Sequence, residues 1–197
     1  TSLTDVTGVQ TCALPIYTVR VSHSEERANG FEDPYALCLH KALVKARDIA
    51  DGLDRGLVIG ADTIALLDGK IIGKPRDRED ASDILRALSR APHEVISGLA
   101  LVVQPGGLVL AGTEVTRVFM RSMSEAEIAE YVDSGEAMGK AGAYAVQETG
   151  DRFVEKMEGS YSNVVGLPLE LLESLLTLLE VRNGLAVPRR SVRERST

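Results

Sequence analysis

Apolar and polar positions along the chain divide it into helices and strands. Tyr17–Ser22 (YTVRVS) alternates with a period of two and reads as a strand. Asp33 followed by Pro34 is a helix start, an N-cap carboxylate with proline at the first helical position. Tyr35, Leu39, Ala42, Ala46, Ile49 and Leu53 then recur at helical spacing and predict one buried face. Leu57–Asp62 (LVIGAD) reads as a buried strand ending on a carboxylate. Ile64–Leu67 and Lys70–Ile72 flank Asp68-Gly69, the hairpin dipeptide. Asp77 starts a second helix, with Ala81, Ile84, Leu85 and Leu88 on one side. His93–Gln104 and Leu108–Arg121 are long Val- and Leu-rich strands joined by Pro105-Gly106-Gly107. Ser124 with Glu127 forms a capping box for a helix carrying Ile128, Tyr131 and Val132, and Gly135 stops it. Ala143–Gln147 and Arg152–Met157 read as two further strands. A Leu-rich helix, packed on two sides, opens at Pro168 and runs to about Glu180.

This order predicts an α/β fold, a mixed twisted sheet with flanking helices. Three sections follow: 1–16, a body over 17–180 and an Arg-rich tail over 181–197. The tail has no periodicity and is expected to be disordered. The first section has neither period, and Val6–Ile16 (VTGVQTCALPI) reads like an in-frame translation of a sequencing-library adaptor. It is expected to be foreign to the body.

Composition narrows the class. The 197 residues are 44% hydrophobic and 26% charged, as in globular chains. No apolar run reaches the roughly 18–20 residues of a membrane helix. The tail holds five arginines against one glutamate, so the total of −7 leaves −11 on the rest. So acidic a body is a poor surface for a nucleic-acid polymer. Cys12 and Cys38 form no CxxC pair and His23, His40 and His93 are scattered, which argues against a zinc site. The expected setting is a reducing cytoplasm, with no signal peptide read.

Several residues can carry chemistry. A carboxylate at the end of a strand, Asp62, can hold a metal or activate water, and it equally well caps a turn. Lys74, in Gly73-Lys74-Pro75, is held on a stiff turn and suits phosphate oxygens, although a surface lysine reads the same way alone. Lys41 and Lys45 sit one helical turn apart, a mild repulsion that a bound anion would offset. Glu25 and Glu26 form an acidic pair that also reads as a charged loop. Gln147 closes Lys140–Gln147 (KAGAYAVQ) with an amide able to donate and accept. The polar groups of Gly159–Pro168 suit a helix cap or a pocket wall.

Taken in order, Glu25-Glu26, KALVKA at 41–46, GADT at 60–63, GKPRD at 73–77, ALSRAPHEVISGLAL at 87–101, KAGAYAVQ at 140–147 and GSYSNVVGLPL at 159–169 resemble the Maf family of nucleoside triphosphate pyrophosphatases. The resemblance implies two lobes around a cleft, similar to the inosine triphosphate pyrophosphatases. It implies cleavage of a nucleoside triphosphate between the α and β phosphates, with Mg²⁺ or Mn²⁺. By motif position Asp62 is the general base and a metal ligand, and Glu26 is a metal or phosphate-site carboxylate. Lys45 and Lys74 bind phosphate, and Thr63 and Gln147 set base specificity. The pattern is similar to the dTTP/UTP branch, with modified pyrimidine nucleotides also accommodated. Homodimers are common in the family.

The sequence departs from the family at one place. A strand, a Ser-x-Ser-Pro-Arg-Arg loop and a helix are expected before Tyr17, and residues 1–16 stand there instead. Impaired folding or turnover of this chain is therefore expected. Two other readings stay open: a pyrophosphatase for 7-methyl-GTP or ITP, and a non-catalytic nucleotide-binding protein of septum control.

Overall fold

The computed structural model describes residues 17–24, 31–147 and 149–183. The expectations for 1–16, for Glu25 and Glu26 and for most of the Arg-rich tail fall outside those residues.

Helix α1 (Pro34–Ala50) begins as its sequence dictates, with Asp33 Oδ1 accepting from the Tyr35 amide at 3.0 Å. Strand β1 (Gly56–Leu67) turns into β2 (Lys70–Ile72) through Asp68 and Gly69, both at positive φ, as a two-residue hairpin requires. Helix α2 (Arg78–Leu88) is capped by Asp77 and buries Ala81, Leu85 and Leu88. Strands β3 (His93–Gln104) and β4 (Leu108–Met120) form the long central pair. Helix α3 (Glu125–Asp133) carries the full Ser124/Glu127 capping box. Strand β5 (Val154–Glu158), the five-residue α4 (Tyr161–Val165) and α5 (Leu169–Asn183) complete the order.

The sheet runs β2-β1-β3-β4-β5. The expected α/β class is found, and all its pairings among the described residues are antiparallel. Short turns between β1 and β2 and between β3 and β4 leave no room for the crossover that a parallel pair needs.

Alternation along β3 assigns the two faces. Ile96, Gly98, Ala100 and Val102 face α1, while Ser97, Leu99 and Leu101 face α4 and α5. A further core joins α2, α3 and the 137–153 segment to the ends of β3 and β4, centred on Leu85, Tyr131, Tyr144 and Phe153. Two packed lobes therefore share the long strands.

Five local expectations need correction. Tyr17–Ser22 forms no strand, because no described segment pairs with it. Asp62 does not end a strand: β1 continues through it, and its ladder to β3 runs unbroken from Gly56↔Gln104 to Leu66↔Glu94. Ala143–Gln147 is irregular after a short 3₁₀ turn at Ala141–Ala143, since Gly142 and Ala143 both take positive φ. The strand expected over Arg152–Met157 starts two residues later, at Val154. Helix α5 packs on one side, with Leu175 buried while Leu169 and Leu178 stay exposed.

Candidate active site

The site starts from a stripe of small residues. Cys38, Ala42, Ala46 and Ala50 repeat every four positions along α1 and are all buried. They face two glycines: a Cβ on Gly60 would run into the Ala42 carbonyl, and one on Gly98 would lie 2.5 Å from the Cys38 carbonyl oxygen. Helix and sheet therefore meet almost backbone to backbone. The face is rotated from the one that Tyr35, Leu39, Ile49 and Leu53 predict, because close approach selects the small residues.

That approach brings Lys45 onto Asp62. Lys45 Nζ lies 2.6 Å from Asp62 Oδ1, with side-chain exposures of 28% and 10%. Beneath them the Cys38 thiol lies 3.0 Å from the Asp62 carbonyl and 3.3 Å from that of Ile96, while the Gly98 amide donates to Sγ at 3.1 Å. Burial pushes the thiol up to about 11, so it remains a protonated donor at neutral pH.

Thr63, the next residue, serves the other face. Its Oγ1 lies 2.7 Å from Ser97 Oγ, directly across the ladder, and 3.4 Å from the Gly166 carbonyl. Ser97 donates to the Asn163 carbonyl at 3.2 Å. Asn163 is fully buried and donates through Nδ2 to the Val95 carbonyl at 3.0 Å and to Thr116 Oγ1 at 2.9 Å. These bonds fix the 160–166 segment over Thr63. Ser160 caps α4, and Ser162 accepts from the Leu169 amide at 2.9 Å, so the GSYS serines do cap helices.

The remaining candidates are placed more loosely. Lys74 is exposed on the turn after β2, and the Gly73 carbonyl accepts from the Gly142 amide at 3.2 Å. That bond joins the Gly-Lys-Pro turn to the segment leading to Gln147. Gln147 is exposed, while Ala141, Tyr144 and Val146 border a small cavity of about 40 Å³ beside Thr63. Neither Lys74 nor Gln147 is hydrogen-bonded to Asp62 or Thr63. Glu26 lies outside the described residues.

Sequence reasoning missed Ser97, Asn163 and the Cys38 contacts. Ser97 acquires meaning only from the β1–β3 register. Cys38 could have been found from the four-residue spacing that it shares with Ala42, Ala46 and Ala50.

Chemically, the arrangement sets a carboxylate and a cation together at β1, with a hydroxyl on the opposite face. Among the described residues no three His, Cys, Asp or Glu side chains come together as a metal site. Asp62 does offer a hard oxygen donor. Mg²⁺ is commonly held by one or two carboxylates with substrate phosphates filling the remaining positions, so this donor fits such an ion. No helix among the described residues is long and apolar enough to cross a membrane.

Residues 9–179 match the family model described as Maf-like protein. A dTTP/UTP pyrophosphatase of Dictyoglomus thermophilum is 44% identical over 156 residues, covering 79% of this chain and 81% of that protein. One from Pelotomaculum thermopropionicum is 48% identical over 132 residues, covering 67% and 69%. One from Alkaliphilus metalliredigens is 42% identical over 161 residues, covering 81% and 83%. With the family pattern matched along nearly the whole body and Asp62, Lys45 and Thr63 gathered at β1, the chain belongs to the Maf family.

Proposed function

We propose that this chain is a nucleoside triphosphate pyrophosphatase acting on dTTP and UTP, and on modified pyrimidine triphosphates. The observation that carries the reading is the Lys45–Asp62 pair at 2.6 Å, on a strand whose sequence and relatives are those of dTTP/UTP pyrophosphatases. Water attacks the α-phosphorus, the bond from that phosphorus to the α–β bridging oxygen breaks, and the products are the monophosphate and pyrophosphate. Asp62 orients the water and takes its proton. Lys45, paired with Asp62 beforehand, shares its charge with the incoming phosphate oxygens, and Lys74 approaches them from its exposed turn. Asp62 and Glu26 would hold a divalent cation, Mg²⁺ or Mn²⁺, which supplies further charge neutralisation on the triphosphate. Thr63 and Gln147 read the pyrimidine. The proposal includes a cytoplasmic setting and a homodimer.

Hydrolysis of dTTP in ¹⁸O-water tests the bond that is cut. The expected result is one ¹⁸O in the monophosphate and none in pyrophosphate. Release of orthophosphate carrying the label would mean γ-phosphate cleavage and would refute the reading.

A further inference from the structure

Asn163, Ser97 and Thr63 form a chain of hydrogen bonds whose direction can be read from its ends. Asn163 is fully buried, and its Nδ2 donates to the Val95 carbonyl, which only accepts. That bond fixes the side chain, and the Gly166 amide, donating at 3.0 Å, holds the Asn163 carbonyl. The buried Ser97 hydroxyl donates to the same carbonyl at 3.2 Å. A hydroxyl has one proton. With that proton spent, Ser97 only accepts across the 2.7 Å contact, so Thr63 donates to it. In the reverse direction Ser97 donates to Thr63, and the Thr63 proton turns to the Gly166 carbonyl at 3.4 Å. The first arrangement uses the two shorter contacts and is the better one. Both spend the Thr63 proton inside the protein and leave its oxygen with lone pairs alone.

Thr63 is half-buried and borders the cavity of about 40 Å³, room for little more than one water-sized group. Ala65, Val95, Val146 and Val164 line the same cavity and offer no side-chain donor or acceptor. Tyr144 lines it too, with its hydroxyl 2.7 Å from His93 Nε2.

We propose that Ser97 is a positioning residue. Held by the Asn163 carbonyl, it makes Thr63 a hydrogen-bond acceptor toward the substrate, and the group that meets Thr63 is the N3–H of thymine or uracil. This rests on the reading above that Thr63 faces the pyrimidine. Once attached to a sugar, thymine and uracil carry a single ring N–H, at N3, so a pure acceptor has one partner on the base. Cytosine presents a lone pair at the same atom. Two facing lone pairs leave a polar group unpaired, which discriminates more strongly than a missing apolar contact.

The test is calorimetric binding of α,β-methylene analogues of UTP, CTP and 3-methyl-UTP to the full chain, which reads selectivity apart from turnover. The UTP analogue should bind roughly tenfold or more tightly than the other two. In Ser97→Ala the Thr63 proton is free to turn toward the ligand. The CTP analogue should then bind roughly tenfold tighter than to the unaltered chain, while 3-methyl-UTP gains nothing. Lost packing alone would weaken all three. Ser97→Cys keeps the volume and weakens the acceptor; it should shift the UTP-to-CTP ratio the same way and replaces Ser97→Ala if that variant does not fold. Ser97→Thr restores the hydroxyl and should restore the original ratio. No binding, or equal binding of the three analogues by the unaltered chain, would overturn the inference. So would a folded Ser97 variant in which all three weaken together. Selective binding with no cleavage of UTP would keep the inference and remove the pyrophosphatase reading instead.

Discussion

Asp62 and Thr63 are consecutive in β1 and serve opposite faces of the sheet. Asp62 meets Lys45 of α1 at 2.6 Å, and Thr63 meets Ser97 at 2.7 Å on the side of α4. The pleat thus places an ion pair on one face and a pair of hydroxyls on the other within a single dipeptide.

Asp62→Asn keeps the shape and removes the carboxylate proposed as the base. Turnover of dTTP should fall by roughly 10²–10⁴-fold. With the divalent cation omitted, affinity for a non-hydrolysable dTTP analogue should stay equal or tighten, because the negative charge of Asp62 is lost. Steady-state kinetics with calorimetric binding checks this; weakened binding with unchanged kcat would assign Asp62 to positioning alone.

Gly98→Ala tests the close contact of α1 with the sheet. The added Cβ would lie 2.5 Å from the Cys38 carbonyl oxygen, and both segments are held in ladders or helix. Overpacking of this kind costs roughly 1–3 kcal/mol, which for a chain of this size lowers Tm by about 2–4 °C per kcal/mol. Thermal unfolding of the variant should show that drop, and turnover should fall with it as Lys45 is displaced from Asp62.

His93 makes stability depend on pH. It is 1% exposed, its Nε2 lies 2.7 Å from the Tyr144 hydroxyl, and its Nδ1 has no partner among the described residues. Burial lowers its pKa to about 4 from an ordinary 6.5. The unfolded chain therefore binds a proton between pH 6.5 and 4 that the folded chain refuses. The associated stability is complete above pH 6.5 and is lost as pH falls toward 4, by an amount on the order of 3 kcal/mol. Urea titrations from pH 4 to 8 should show this slope, and His93→Gln should flatten it.

Cys38 should resist alkylation by iodoacetamide at pH 8 in the folded chain and react once the chain is unfolded. Its thiol is buried and held up to about 11. A Cys12→Ser background isolates the signal, and rapid labelling of the native form would contradict the packing of α1.

Much of this fold is legible in the sequence because local chemistry fixes it. Asp33-Pro34, Asp68-Gly69, Asp77 and the Ser124/Glu127 box each mark an element boundary that the structure keeps. Where pairing across the chain decides, the sequence is silent. Tyr17–Ser22 has the alternation of a strand and no described partner. Asp62 reads as a terminus although the ladder to β3 passes through it. Ala143–Gln147 has the composition of a strand but is bent by the positive φ of Gly142 and Ala143. At the site, Asp62, Lys45 and Thr63 were visible as residue types. Ser97 and Asn163 were not, because their roles depend on register and on α4 folding back over the sheet.

The most direct test of the account is pyrophosphate release with Mg²⁺ from dTTP, UTP, 7-methyl-GTP and ITP. It would compare this chain with a variant in which a family-type strand, Ser-x-Ser-Pro-Arg-Arg loop and helix replace residues 1–16. The account predicts cleavage of dTTP and UTP to their monophosphates, faster in the second protein, with the other two nucleotides poorly used. If both proteins are folded and neither cleaves any triphosphate, the catalytic assignment of Asp62 and Lys45 is wrong.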